Sequence, residues 1–312
     1  MGNTYILRKG VSTLSDLSDG AGAINAHLGA DGRLFYVDPS STVGHTIGSD
    51  SEGGLKPSES FLTLQAAINA CDNWRGDVIV CKAGTQTVTT AVLFNKKGIT
   101  VMAEGVGLPA RPAGERFTIY GSHTDGPAAV ISYPCKIIGM GFCGSETAGG
   151  SLEINGTTGG FDGGNFVGLL NCRFSHWGIA KAYAIILQGT GDVEIGNCYI
   201  DGYTSGYTTA AIECQLATAS GTWITHIHDS IFVNPVTYCL KMATSSVPVR
   251  GLVEHNFHIG GGKFFDDNDV TATQWVFADN YLPTATDTGS YGDTVDNLQS
   301  AGYHFINQHY EE

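Results

Sequence analysis

One short phrase recurs along the middle of the chain with varied spelling, and it constrains the fold more than any other feature. The copies read LLNCRF, EIGNCYI, HIHDSIF, LVEHNFHI and VFADNYL. Aligned on their polar residue, which recurs every 24–32 positions, they form a column of Asn171, Asn197, Asp229, His255 and Asp279. Units that repeat at roughly 20–50 residues are typical of stacked architectures, because each unit buries its apolar face against the next. The sequence therefore predicts an array of similar turns.

Apolar residues accompany the polar column at fixed distances. Two positions before it stand Leu169, Ile195, Ile227, Val253 and Phe277, and three positions after it stand Phe174, Ile200, Phe232, His258 and Leu282. A looser copy, IIGMGFC, places Ile138, Met140 and Cys143 at the matching positions. Stacked inward side chains require such columns. The polar column is predicted to turn the chain between two sheets, because Asn and Asp tolerate left-handed backbone angles.

Composition sets the fold class. Glycine makes up 43 of 312 residues, about twice the usual share of roughly 7%. Val, Ile, Thr, Phe and Tyr fall in short runs bounded by Gly, Asn, Asp or Ser, a pattern typical of strands. We therefore expect an all-β protein.

The one convincing helical period lies in FLTLQAAINACDNW, near residues 60–73, with Ser58 and Ser60 as possible N-caps. The strands DVIVCKAGTQTV and GITV follow it. This order, over roughly residues 35–104, resembles the N-terminal region of right-handed parallel β-helix proteins, which include pectate-lyase-like enzymes and phage tailspikes. The resemblance implies a right-handed single-stranded parallel β-helix over residues 35–283, closed at its start by a capping helix. It does not settle activity, because the superfamily contains lyases, hydrolases, adhesins and structural virion proteins.

The two ends of the chain lack the repeat. Residues 1–34 are predicted to form an arm that docks on a capsid or tail. Residues 284–312 have no obvious repeat partner, and they are expected either to fold back as a strand that caps the last coil or to mediate oligomerisation.

Charge and cysteine usage limit the partners and the compartment. The net charge is −14, which disfavours nucleic acid and bare polyanionic glycans as ligands. The eight cysteines include no CxxC pair, so free thiols and assembly in a reducing compartment are expected. No signal peptide or membrane-spanning stretch is evident, which favours synthesis in a bacterial host cytoplasm and display on a virion surface.

Four polar residues near the repeats are candidates for catalysis. Glu194, His226, His228 and Glu254 are predicted to lie outward on adjacent coils, with His226 beside Glu194 and His228 beside Glu254. Two histidines and two glutamates on one surface could bind zinc or act as an acid/base pair. The alternative is a polar exterior ladder in which His–Glu pairs offset an acidic surface.

One acidic segment is a candidate calcium loop. FFDDNDV supplies Asp266, Asp267 and Asp269, and hard cations take oxygen ligands. The segment lacks the glycine and the distal glutamate of an EF-hand, so an ordinary acidic loop is the alternative. Apart from this Ca²⁺ candidate, no cofactor is predicted.

Aromatic residues are the candidates for partner binding. Tyr199, Phe257 and Tyr281 immediately precede the second apolar column and are predicted to point outward, and three more aromatics are assigned to loops: Tyr203, Tyr207 and Trp223. Flat aromatic faces bind sugar rings or pack against another subunit.

Two functions follow from these observations. The first is a structural and adhesive bacteriophage virion protein, a homotrimeric capsid decoration or tailspike that binds host-surface polysaccharide. The second is a polysaccharide-degrading enzyme, a glycoside hydrolase or lyase on the same fold.

Overall fold

The structure is a computed structural model, and it describes part of the chain. The described residues are 31–39, 48–51, 53–104, 116–122, 126–144, 150–155, 166–175, 181–188, 192–202, 207–215, 224–234, 237–242, 250–260, 262–266, 274–282, 303–306 and 309–310. The predicted N-terminal arm, 1–34, therefore lies outside the described residues except for its last four positions.

The strands form three parallel sheets, which the chain visits in turn. Sheet 1 has ten strands: Leu34–Val37, Val78–Cys81, Ile99–Ala103, Cys135–Ile138, Phe166–Leu170, Asp192–Gly196, Ile224–His228, Arg250–Glu254, Gln274–Ala278 and Tyr303–Ile306. Sheet 2 has nine: Gly84–Val88, Phe117–Gly121, Gly141–Cys143, Arg173–Ser175, Tyr199–Asp201, Ile231–Val233, Phe257–Ile259, Tyr281–Leu282 and His309–Tyr310. Sheet 3 has seven: Val92–Phe94, Ala129–Ile131, Leu152–Asn155, Lys181–Gln188, Tyr207–Gln215, Tyr238–Met242 and Lys263–Asp266.

Within the described residues, seven coils contribute one strand to each sheet, and successive coils pair in register. Leu169 pairs with Ile195, Ile195 with Ile227, and Ile227 with Val253, so the predicted apolar column is a continuous stack. All of its members are buried. This arrangement is a right-handed single-stranded parallel β-helix, and the predicted all-β fold class is confirmed.

The polar column turns the corner between sheets 1 and 2, as predicted. The residues Asn171, Asn197, Asp229, His255 and Asp279 all have φ between 51° and 55°. Asn and Asp adopt this left-handed region more readily than most other non-glycine residues, because a short polar side chain can bond locally. Asn or Asp accordingly occupies four of these five corners, and His255 occupies the fifth.

The earlier copy of the phrase fits the stack one residue away from the predicted alignment. Ile137 pairs with Leu169 and Phe142 pairs with Phe174, so Gly139 occupies the corner with φ 73°. The predicted matches Ile138, Met140 and Cys143 are therefore wrong by one position. Glycine has no Cβ and takes the left-handed angle without strain, which explains why this corner needs no Asn or Asp.

Small buried side chains line the inside of the same corner. Cys172, Cys198, Ser230, Asn256 and Asn280 occupy this inner column and are all buried. Asn280 Oδ1 accepts a hydrogen bond from the backbone N–H of Asn256 at 3.0 Å, and Asn256 Oδ1 accepts one from the N–H of Ser230 at 3.0 Å. The bend leaves some backbone N–H groups without a partner in the sheets, and the side-chain oxygens of the inner column accept their hydrogen bonds. All eight cysteines are free and buried, as predicted.

A short helix, α1 (Leu64–Ala70), stands at the start of the stack. It buries Leu64, Ala67 and Ile68 against the first coils, so the predicted capping helix is confirmed. The predicted N-caps Ser58 and Ser60 are wrong, because Thr63 caps α1 by accepting a hydrogen bond from the N–H of Ala66. In the described part of the chain, no helix has the length and apolar character needed to cross a membrane.

The last described strands continue the β-helix beyond the predicted boundary at residue 283. Tyr303–Ile306 pairs in parallel with Gln274–Ala278, which brings Phe305 into register with Phe277. His309–Tyr310 pairs in parallel with Tyr281–Leu282. The expectation that the tail has no repeat partner is therefore wrong, whereas its roles in capping the last coil and in oligomerisation stay predictions. The sequence signal was a further copy of the phrase, because Asn307 follows Phe305 at the distance that separates Asp279 from Phe277.

Candidate functional site

Inward positions of the β-helix are filled mostly by apolar side chains, and the buried polar ones lie out of reach of solvent, so any chemistry depends on outward positions. On sheet 1 these include the four predicted catalytic candidates. Glu194 pairs in register with His226, and His228 pairs in register with Glu254, as the sequence predicted. The structure therefore brings all four onto one outer face.

The hydrogen bonds within this group run diagonally rather than straight across the strands. His226 Nε2 lies 2.9 Å from Glu254 Oε1, and His228 Nε2 lies 3.3 Å from Glu194 Oε1. The two imidazole rings stack with centroids 4.4 Å apart. Gly196, on the neighbouring strand, leaves the space that His228 fills, because a Cβ there would lie 2.6 Å from its ring. Each histidine is therefore paired with the glutamate diagonal to it rather than with the one directly opposite.

The electrostatics of His228 and Glu194 oppose a role for this pair in proton transfer near neutral pH. Hydrogen bonding to Glu194 and then to Asp229, against an opposing effect of burial, raises the pKa of His228 to about 9. The bond from His228 in turn holds the pKa of Glu194 below its ordinary value, and the charge of Lys136 acts in the same direction. A general base works best with a pKa near the operating pH. His228 is instead a persistent cation, with Asp229 Oδ2 at 2.8 Å from its second nitrogen.

Neither predicted metal site is supported. Among the described residues, no group of three or more His, Cys, Asp or Glu side chains is arranged to hold a metal ion, which contradicts the zinc alternative for sheet 1. In the predicted calcium loop, Asp266 ends the strand Lys263–Asp266, whereas Asp267 and Asp269 lie outside the described residues. Calcium binding by that loop stays a prediction.

The predicted outward aromatics lie in one row on sheet 2. Tyr199, Phe257 and Tyr281 occupy the same register position, with Ile231 between the first two. Phe257 and Tyr281 are exposed, and their rings stack at 5.3 Å.

The three aromatics assigned to loops have a different outcome. Tyr207 begins the strand Tyr207–Gln215 and is fully buried, with its hydroxyl donating to the Asp201 carbonyl at 3.1 Å. Its predicted role in partner binding is therefore wrong. Tyr203 and Trp223 lie outside the described residues.

Sheet 3 carries a polar face that the sequence interpretation missed. One outward row aligns Glu153, Ile186, Glu213 and Lys241 on four successive strands. A second row, two residues further along the strands, aligns Asn155, Gln188 and Gln215. We call these two rows, together with Tyr183, the sheet 3 polar face.

Hydrogen bonds join the amides of this face into a ladder along the axis of the β-helix. Gln188 Nε2 donates to Gln215 Oε1 at 3.2 Å, and Asn155 Nδ2 donates to Gln188 Oε1 at 3.4 Å. Asn155 Nδ2 also donates to Glu153 Oε1 at 2.6 Å. Each side-chain amide has two donors and an acceptor with two lone pairs, so Gln188 and Gln215 can hydrogen-bond a ligand in addition to their bonds within the ladder.

Tyr183 lies among these residues as a neutral phenol. Burial, with the charges of Glu153 and Glu213, raises its pKa to about 12. Its ring lies over Gly150, where any Cβ would collide with it. Glu213 is only 8% exposed. The sheet 3 polar face therefore combines carboxylates that accept hydrogen bonds with a phenol that stays protonated well above neutral pH.

A weak signal for this face was present in the sequence. The segments LEIN, IILQ and IECQ each end in a residue with a side-chain amide. In the first and the third segment, a glutamate stands two residues before that amide. Their spacing differs from that of the corner phrase because the intervening segments vary in length. Only strand pairing shows that the three segments are neighbours.

Comparison with known proteins adds little to the fold already described. No family model matches the chain, and no curated protein matches it. Among solved structures, it is similar to pectate lyase Pel9A, with 10% identity, a TM-score of 0.46, and 91% of this chain and 78% of that one covered. It is also similar to a rhamnogalacturonan lyase, with 15% identity, a TM-score of 0.46, and 89% and 87% covered. Likeness at this level carries no argument about activity.

Proposed function

We propose that this protein is a structural and adhesive component of a bacteriophage virion, and that it binds an uncharged polysaccharide on the sheet 3 polar face. The observation that carries the binding proposal is the pair of aligned rows, Glu153–Glu213 and Asn155–Gln188–Gln215, on one outer surface. Sugar hydroxyl groups both donate and accept hydrogen bonds, and this face offers both kinds of partner.

The charge of the face and of the chain supports an uncharged ligand. The protein carries a net charge of −14, and two carboxylates flank the centre of the face. A polyanionic glycan would be repelled unless a cation intervened. An uncharged glycan meets no such repulsion, and its hydroxyls can donate to the carboxylates in charge-assisted hydrogen bonds.

The bacteriophage setting is supported by the resemblance of residues 35–104 to the N-terminal region of right-handed parallel β-helix proteins, a group that includes phage tailspikes. The stack of parallel coils is consistent with this role, because a solenoid presents a long, regular surface to a repeating ligand. The proposal covers both a capsid decoration and a tailspike. Attachment to capsid or tail proteins stays a prediction.

A second function, hydrolysis of the bound glycan, is favoured by one specific observation. Glu153 and Glu213 stand on strands separated by a single intervening strand, so their backbones are about 9–10 Å apart at a strand spacing of about 4.8 Å. This is comparable to the carboxyl separation of about 6.5–9.5 Å in inverting glycosidases. In this alternative one glutamate protonates the leaving oxygen and the other activates water.

A single set of measurements separates binding from hydrolysis. Purified full-length protein would be titrated calorimetrically with a panel of uncharged and acidic bacterial polysaccharides, and the same mixtures would be assayed for new reducing ends and unsaturated products. We expect binding of an uncharged polymer with no cleavage. New reducing ends would establish the hydrolase alternative, and no binding by any polymer would overturn the proposal.

The virion role needs its own test. Mass spectrometry of purified virions that encode this chain should detect its peptides at structural-protein abundance. Their absence from intact particles would overturn the virion assignment without affecting the glycan site.

A further inference from the structure

The outer face of sheet 2 carries a strip of apolar side chains on its C-terminal strands. The first row of this sheet 2 strip aligns Tyr199, Ile231, Phe257 and Tyr281. The second row aligns Val233 with Ile259, and towards the N-terminal strands it continues into polar Asp201 and Ser175. The strip extends over four strands and therefore about 14 Å along the axis of the β-helix.

Exposure is greatest at the C-terminal end of the strip. Phe257, Ile259 and Tyr281 are 37%, 45% and 49% exposed. Isolated exposed apolar residues are normal, but a contiguous patch bounded by polar residues marks an interaction surface. Here the boundary is the exposed corner column, with Asp229, His255 and Asp279 beside the strip. An apolar centre with a polar rim is the usual anatomy of a protein interface.

The strip is locally neutral in a strongly acidic chain. The charged side chains at its N-terminal end, Arg173 and Asp201, pair with each other at 3.4 Å, and Arg173 also lies over the Tyr199 ring at 5.1 Å. Two copies of a chain with charge −14 repel each other across most of their surfaces. Contact through the strip is the exception, because it brings apolar groups together at its centre, and each rim aspartate has a histidine beside it: His228 lies 2.8 Å from Asp229 and His255 lies 3.9 Å from Asp279.

A sugar is a poorer occupant than a second copy. Sugar recognition needs convergent polar groups around an aromatic platform. The positions around the strip's aromatic rings are instead taken by the aliphatic side chains of Ile231, Val233 and Ile259. The sheet 3 polar face has the opposite composition.

We infer that the sheet 2 strip is the contact through which copies of this chain associate, with the β-helices side by side and Phe257, Ile259 and Tyr281 at the centre of the interface. The strip runs along the β-helix axis, so a rotation axis parallel to it brings identical strips together. The homotrimer expected from the sequence is one such assembly. This inference is independent of glycan binding on sheet 3.

Native mass spectrometry and sedimentation of the full chain provide the test, with Ile259→Asp compared with Ile224→Asp. Ile224 is 53% exposed on sheet 1, away from the strip, and is the matched control. We expect an oligomer for the wild type and for Ile224→Asp. For Ile259→Asp we expect the dissociation constant to rise at least about tenfold, because a charge is placed at the centre of the interface. A monomeric wild type, or equal effects of the two substitutions, would overturn the inference.

A second variant keeps the test decisive if Ile259→Asp fails to fold. Tyr281→Cys introduces an exposed thiol, whereas the eight native cysteines are all buried. Mild oxidation should cross-link Tyr281→Cys chains into covalent dimers and leave Ile224→Cys chains single. Equal cross-linking of both would contradict the inference. A wild type that stays monomeric, with glycan affinity lost in Tyr281→Ser, would instead assign the strip to a sugar.

Discussion

Sheets 1 and 3 each present two outward glutamates, yet the two faces differ in what is left for a ligand. On sheet 1, Glu194 and Glu254 are each held by a histidine. On sheet 3, Glu153 and Glu213 flank a neutral tyrosine and a ladder of amides. The same residue type is thus paired with histidine on one face and set beside a neutral phenol and side-chain amides on the other. Partners on adjacent coils, rather than the presence of carboxylates, decide where this fold can recognise a substrate.

Replacement of both glutamates on each face is the strongest test of this difference. In Glu153→Gln/Glu213→Gln, we expect glycan affinity to fall at least about tenfold, because a hydrogen bond to a charged group contributes about 1.5–3 kcal/mol. The matched double variant Glu194→Gln/Glu254→Gln should bind as the wild type does. Calorimetric titration with the bound polysaccharide is the measurement, and equal losses in the two variants would remove the distinction between the faces.

The pH dependence of stability tests the histidine side of the comparison. The pKa of His228 is raised from 6.5 to about 9, so its stabilising contribution is complete below pH 6.5 and is lost as the pH rises through 9. We expect the free energy of unfolding to fall by about 1–2 kcal/mol over this range, after discounting for solvent screening of a half-exposed pair.

Urea denaturation at a series of pH values measures this effect, with His228→Gln as the control that should lack it. The pKa of Glu194 is lowered, so its own contribution is present above its ordinary value of 4.5 and is lost as the pH falls through the lower folded-state value. Maximum stability of this pair is therefore expected between about pH 4.5 and 6.5. A wild-type profile parallel to that of His228→Gln would show that the diagonal pairs contribute nothing.

Two glycines offer a matched steric test, in which a moderate change in glycan affinity is expected. An added methyl at Gly150 meets the Tyr183 ring, whereas one at Gly196 meets the His228 ring. We expect Gly150→Ala to lower glycan affinity by about 3- to 10-fold through displacement of Tyr183, the equivalent of one neutral hydrogen bond. Gly196→Ala should leave affinity unchanged and flatten the pH profile of stability. If Gly196→Ala lowered glycan affinity and Gly150→Ala left it unchanged, the glycan site would lie on sheet 1.

Removal of the Tyr183 hydroxyl alone should have the smallest effect. Tyr183→Phe keeps the ring over Gly150 and deletes one neutral donor, so a loss of about threefold or less in affinity is expected. The free energy of unfolding should stay close to that of the wild type. A far larger loss of affinity, or loss of cleavage in a preparation that cleaves, would give the phenol a role in chemistry rather than in binding.

The corner phrase allowed the β-helix to be recognised from sequence because its constraint is local. A left-handed corner restricts one residue to Asn, Asp, His or Gly, and the stacked columns restrict the positions two before and three after it. The same phrase was missed at Phe305 and shifted by one at Gly139, where the corner residue or its neighbours depart from the common spelling. The sheet 3 polar face was missed because Glu153, Tyr183 and Glu213 lie at irregular separations in the chain.

The sequence by itself determined the all-β class, the stacked coils, the corner residues, the free thiols and the register that places Glu194 beside His226. Each of these depends on spacing within a single repeat or between consecutive repeats. Only the tertiary structure decided that the hydrogen bonds on sheet 1 run diagonally, that Tyr207 is buried, and that carboxylates and amides assemble on sheet 3. Those outcomes depend on side-chain reach and on segments of unequal length between coils, which spacing along the chain does not encode.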